Sequence, residues 1–254
     1  MRKIFNCFIV TLFGVVFPSL LFAGMVEIAV LSDTQTRLPL YTTGSSDPNT
    51  YRAYVEAERG MRYSIRVWNN SSVRIGVVIA VDGRNIISGA KSNLAREERM
   101  YILNPRSSGN YEGWRTSSTQ VNRFYFTDAP DSYSGAWGDY SAMGVIAVAV
   151  FPEQRPPQIL YERRDNKEME KSRPASPRMA APGTGFGEGV YSPSMRVEFE
   201  PEAFPAERYF FKYEWRDTLC RKGIIDCRQP RNRFWNERED YAPYPPPRPR
   251  PHRY

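Results

Sequence analysis

Along residues 61–67 apolar and polar side chains alternate strictly: Met61, Tyr63, Ile65 and Val67 against Arg62, Ser64 and Arg66. Only an extended strand puts one of these sets on a core and leaves the other in water, because its side chains point to opposite faces in turn. Val73–Val81 is instead an almost unbroken apolar run, the pattern of a strand covered on both faces. Asp82-Gly83 follows it directly and is a strong two-residue hairpin signal. Further strands are expected at 26–31, 51–57, 84–88, 99–103, 111–115, 121–127 and 144–151, with turns at Asn69–Ser72 and Asn104-Pro105. Residues 32–50, rich in Ser, Thr, Asp, Pro and Gly, read as loop. No long amphipathic helix separates the strands, so no crossover for parallel pairing is available. The expectation is an all-β fold, an antiparallel β-sandwich over residues 25–155.

The flanks differ in character. Residues 1–24 combine Arg2 and Lys3, an apolar run and the small residues Ala23 and Gly24, the pattern of a secretory signal peptide cleaved after Ala23. The same run is long enough to remain as an anchor, with Gly14 and Pro18 weakening such a helix. No stable transmembrane span is expected, and the protein is placed in the periplasm, at the cell surface or secreted. Residues 156–189, rich in Pro and charge, read as a linker. Residues 190–227 hold two expected strands, Met195–Phe199 and Arg208–Tyr213, and a short helix from Trp215 to Lys222 ending at Gly223. So short a unit cannot build its own core, so it is expected as a small β/α extension docked on the sandwich. Residues 228–254 read as a disordered basic tail rich in Pro.

Composition narrows the chemistry. The one histidine, His252, lies in that tail, where nothing holds an imidazole in place for triad or zinc chemistry. The net charge of +7 is concentrated at the termini: the tail alone holds seven Arg against three acidic residues. A near-neutral body lacks the basic face of a nucleic-acid-binding domain, so no nucleic acid is expected. Loss of the signal removes Cys7. Cys220 and Cys227 are then expected as a disulfide in an oxidising compartment, the alternative being two buried thiols.

The motifs are weak individually. Gly183–Gly189 (GTGFGEG) misses the dinucleotide spacing, with Glu188 where a glycine is required, and reads as a flexible turn. Residues 128–143 form a long loop of the kind that often carries function. Trp114 and Arg115 together with Tyr133, Trp137 and Tyr140 form a candidate binding surface, because exposed aromatic rings stack on sugars or partner proteins; packing at the rim of the sandwich is the alternative. Glu112 with Asp128 or Asp131 is a candidate glycosidase-type carboxylate pair, while Glu112 and Arg115 equally suit an ion pair. Asp128, Asp131 and Asp139 are candidate calcium ligands, although their spacing fits no calcium loop and the first two also suit turn capping around Pro130. No catalytic residue, cofactor or metal site is assigned. The partner is expected to be an envelope protein or glycan.

The strings VVIAVDGRNIISG, YEGWRTS, FYFTDAPDSYSG, GVIAVAVF and GTGFGEG together resemble a group of bacterial exported proteins of uncharacterised activity, over roughly residues 51–225. Here Phe186 stands where that group has His, and Ser134 where it has Ala. The resemblance implies an exported, β-rich body and no particular reaction. The functional expectation is a non-enzymatic binding or structural module of the envelope; the alternatives are a carbohydrate-active hydrolase and a calcium-stabilised adhesion module.

Overall fold

The computed structural model describes residues 24–154 and 181–227. The expected signal peptide, most of the linker and the basic tail lie outside the described residues. In chain order the first strands are β1 (Val26–Ser32), β2 (Leu40–Thr43), β3 (Thr50–Ala57), β4 (Arg62–Asn69), β5 (Ile75–Val81), β6 (Arg84–Asn85) and β7 (Tyr101–Leu103). There follow β8 (Ser108–Tyr111), β9 (Gly113–Arg115), β10 (Gln120–Asp128), helix α1 (Tyr133–Ala136), β11 (Val145–Pro152), β12 (Pro182–Thr184), β13 (Gly189–Tyr191), β14 (Glu207–Trp215) and helix α2 (Arg216–Arg221). No described helix is long and apolar enough to cross a membrane.

Two seven-stranded sheets face each other, as the two-residue period predicts. One runs β1-β4-β10-β12, with β8 beside β4 and with β9 and β13 beside β10. The other runs β2-β3-β14-β11-β5-β6, with β7 also on β5. Ile65, Val67 and Phe126 of the first sheet meet Val55, Ile79 and Val148 of the second in one continuous core. Each fully buried aliphatic or aromatic side chain of this kind contributes roughly 1.5–3 kcal/mol. Every residue of β5 is buried. Its second face, at Val78, joins Ala149 and Phe151 beneath Leu94 and Met100, which explains the unbroken apolar run.

The extension expected to dock on the sandwich instead completes it. β14 lies inside the second sheet, antiparallel to β11 and parallel to β3, with Phe211 opposite Ala53 and Trp215 opposite Ala57. Tyr209, Phe211, Tyr213 and Trp215 all point inward and are buried. The antiparallel rule holds at every other named pairing and fails at this one, where the partners are joined through most of the chain and no local crossover is required. The carboxylate of Glu207, at the start of β14, accepts the Met25 N–H at 2.6 Å and the Val26 N–H at 3.3 Å, tying β1 to the opposite sheet.

Four local expectations are corrected. Residues 40–43, inside the expected loop, form β2 on the edge of β3. The strand expected at 84–88 stops after Asn85, whose side-chain oxygen accepts the Ile87 and Ser88 N–H groups and turns the chain away. Met195–Phe199 is not a strand; Ser194 N–H to Ser118 O and a bridge between Pro201 and Glu153 hold its ends, and the Arg74 guanidinium donates to Glu198 O at 3.2 Å and lies over the Phe199 ring. Gly183–Gly189 is no free turn, because β12 and β13 at its two ends both pair with β10. Other expectations hold. Asp82 and Gly83 both take positive φ, 50° and 79°, as a tight hairpin turn requires. Cys220 and Cys227 are bonded across the C-terminal end of α2, where Gly223 at φ 66° ends the helix.

Candidate functional site

Trp114 is not a surface residue. It is 2% exposed, and its indole N–H donates to Gly185 O at 3.0 Å. The ring meets Phe124 edge-on and leans on Tyr133 at a centroid distance of 4.4 Å. The GTGFGEG segment closes over it. A Cβ at Gly185 would lie 2.1 Å from the Tyr125 ring, so only glycine allows this approach. Glu188, the residue that breaks the nucleotide motif, makes a two-pronged ion pair with Arg62 at 2.7 and 3.1 Å, which holds its carboxyl below the ordinary range.

The expected aromatic surface therefore divides. Tyr133, half-buried, stacks on Phe186 at 5.6 Å and meets Trp137 edge-on at 6.3 Å. Trp137 is 64% exposed, with the Arg84 guanidinium over its ring. Tyr140 is half-buried. What reaches solvent is Trp137 and part of Phe186, while Trp114 is part of the core because the 182–191 strands cover it.

The candidate carboxylates do not converge. Asp128 pairs with Arg59 at 3.1 Å and makes no capping bond to the turn that follows. Glu112 lies 4.0 Å from Arg123, and not beside Arg115. Asp139 accepts the Ser141 N–H and hydroxyl. Asp131 is exposed. Among the described residues no group of three or more His, Cys, Asp or Glu side chains is placed to hold a metal ion.

Arg115 takes on a different significance. Its guanidinium is held in place by four neutral contacts: Tyr101 Oη at 2.8 Å, Ser192 O at 2.8 Å, and Ser117 O and Ser192 Oγ at 3.2 Å each. Among the described residues no carboxylate pairs with it. It stands on the wall of a groove of about 890 Å³, at the upper end of the ~300–1,000 Å³ usual for ligand clefts. The groove is bounded by β7 and the residues leading into it, by the exit of β9, and by the 194–201 segment. Three further arginines line it. Arg96 is neutralised by Glu200 at 2.7 Å, whereas Arg99 and Arg196 are exposed and have no acidic partner among the described residues. The one carboxylate on the wall, Glu98, is occupied by the Asn93 and Ala95 N–H groups and by Asn85 Nδ2. A half-buried cation without a counter-ion is energetically incomplete. Arg196 leaves no signature in sequence, because its segment alternates like a strand yet joins no ladder among the described residues.

A second feature escaped the sequence because Asp82 was explained by its turn. Its carboxylate is fully buried and accepts the Gly144 N–H at 2.7 Å, the Thr184 N–H at 2.6 Å and the Tyr213 hydroxyl at 2.5 Å. Thr184 Oγ1 lies 2.7 Å from both the Tyr213 and the Tyr63 hydroxyls, completing a buried polar chain across the sandwich. Burial lifts the Asp82 carboxyl to about 6, against the pull of its three donors and Lys212. Burial likewise raises the Tyr213 and Tyr63 hydroxyls. Asp82 does not line the groove; it joins β5, β11, β12 and β14. A carboxylate directly behind a doubly buried run was the available signal.

No protein family, no curated protein and no solved structure matches this chain.

Proposed function

We propose that this protein is an exported, non-enzymatic module of the cell envelope that works by binding, and that the groove beside β7 is its binding site. One observation carries the reading: the Arg115 guanidinium is fixed by neutral contacts on the groove wall and has no counter-ion among the described residues, as in a site awaiting an anionic ligand. Arg99 and Arg196 extend the same positive wall. The amino-terminal signal pattern and the Cys220–Cys227 disulfide support export. The carboxylate-pair reading loses support because Asp128 pairs with Arg59, whereas Glu112 lies near a different arginine, Arg123, which it shares with Asp33 and Glu188.

The test is amide hydrogen exchange on the mature protein with and without a solubilised envelope fraction. Protection at residues 99–102 and 194–201 is expected, and it should disappear in the Arg99→Ala/Arg196→Ala double variant, whose altered side chains hold no described element in place. Protection confined to other surfaces, or glycan turnover that is abolished by Glu112→Gln, would overturn the proposal.

A further inference from the structure

We infer that the groove takes an extended acidic peptide, which adds as a strand to the outer edge of β7. The inference rests on the groove being the binding site and goes further by naming its ligand. In an antiparallel ladder only alternate residues exchange hydrogen bonds. Ile79 O accepts the Ile86 N–H, so the odd-numbered residues of β5 turn their backbone groups toward the β6–β7 side. Ile75 and Val77 therefore bond to Leu103 and Tyr101, their register partners. Ile102 between them, opposite Gly76, turns its N–H and C=O outward, and no other backbone group among the described residues takes them up. Ile102 lines the groove. An unpaired donor and acceptor on a sheet edge are a template for one more strand.

Charge specifies the incoming chain. The edge is only three residues long and is closed by Asn104-Pro105, too short to recruit a strand by backbone bonds alone. The side chains of the ligand must contribute, and they would meet Arg99, Arg115 and Arg196 with no free carboxylate between them. Glu or Asp at alternate positions of an extended peptide would all fall on one face. Met100 and Phe199 on the groove wall suit apolar residues at the positions between. The chain's own segments outside the described residues are poor occupants: residues 155–180 hold seven basic against four acidic residues, and residues 228–254 seven against three. An anionic glycan would satisfy the arginines and leave the Ile102 backbone unanswered.

The experiment is fluorescence anisotropy with the full mature chain and four probes: a peptide alternating Glu and Val, the same peptide with N-methylated Val, its Lys–Val counterpart, and polygalacturonate as an anionic glycan. The Glu–Val peptide is expected to bind, more weakly as salt rises. N-methylation is expected to weaken it about tenfold or more, as is Arg99→Glu/Arg196→Glu, and the Lys–Val peptide is expected not to bind. Equal binding of the N-methylated peptide would overturn the strand-addition inference. Polygalacturonate bound in the groove while the peptide is not would overturn the ligand class and leave the binding reading standing. Failure of every probe would overturn the inference, and the exchange experiment with envelope fraction would then judge the binding reading independently.

Discussion

The buried carboxyl of Asp82 makes the stability of this fold depend on pH in the direction opposite to most carboxylates. Paired aspartates on protein surfaces are held below their ordinary range and stabilise the fold as pH rises. Asp82 is raised from 3.8 to about 6 because burial outweighs its three donors. Between those two values the folded state binds more protons than the unfolded state, so stability falls as pH rises through the window. The contribution is fully present below about pH 4 and is lost once pH passes 6. At ~1.4 kcal/mol per tenfold change in an ionisation constant, the loss is about 3 kcal/mol. Asp82→Asn isolates it. Asparagine tolerates the positive φ of this position. Its oxygen can still accept from Gly144 and Tyr213, but its amide would oppose the Thr184 N–H, a mismatch of about 1–3 kcal/mol that does not vary with pH. Denaturant unfolding of both proteins from pH 4 to pH 7.5 provides the assay. The stability of wild type minus that of the variant should fall by about 2–3 kcal/mol across the range. A difference that stays constant, or that grows with pH, would refute the argument that burial dominates at this site.

The remaining expectations are simpler. Trp114→Phe keeps a ring but loses the bond to Gly185 O and some core volume, so it should destabilise the fold by about 1–3 kcal/mol in urea unfolding. Unchanged stability would return Trp114 to the surface role that its sequence context suggested. Cys220→Ser/Cys227→Ser opens a short covalent loop at the end of α2 and should lower stability by about 2–3 kcal/mol under oxidising conditions. Reducing agent should then lower the wild type by a similar amount and leave the variant unmoved; a wild type insensitive to reductant would show that the bond contributes nothing.

Local pattern made much of the sandwich legible. The alternation at residues 61–67 became β4, the unbroken run became the fully buried β5, and Asp82-Gly83 became its hairpin. Each of these depends only on side chains a few residues apart. Neighbours across the chain were not legible. Nothing in ERYFFKYEW states that this strand pairs in parallel with residues 50–57, because its period is satisfied by any two-sided burial. The same blindness misplaced Trp114, whose cover arrives from residues 182–191, far along the chain. In sequence Arg115 is only the neighbour of Trp114; its neutral partners Tyr101 and Ser192 meet it through the fold, with no carboxylate beside it among the described residues. Arg99 and Arg196 became a pair only through the spatial meeting of two distant segments.

The position of β14 has a consequence for how the protein is made. The second sheet is divided by a strand that the ribosome supplies after every other described strand, so a nascent chain ending at Pro152 offers both β3 and β11 as raw margins with nothing between them. Such a chain gains little by settling early, and pairings that span most of its length are slow to form. A polypeptide arranged in this way cannot close its second sheet until β14 is available, and shortening it before Trp215 would remove the keystone rather than an appendage.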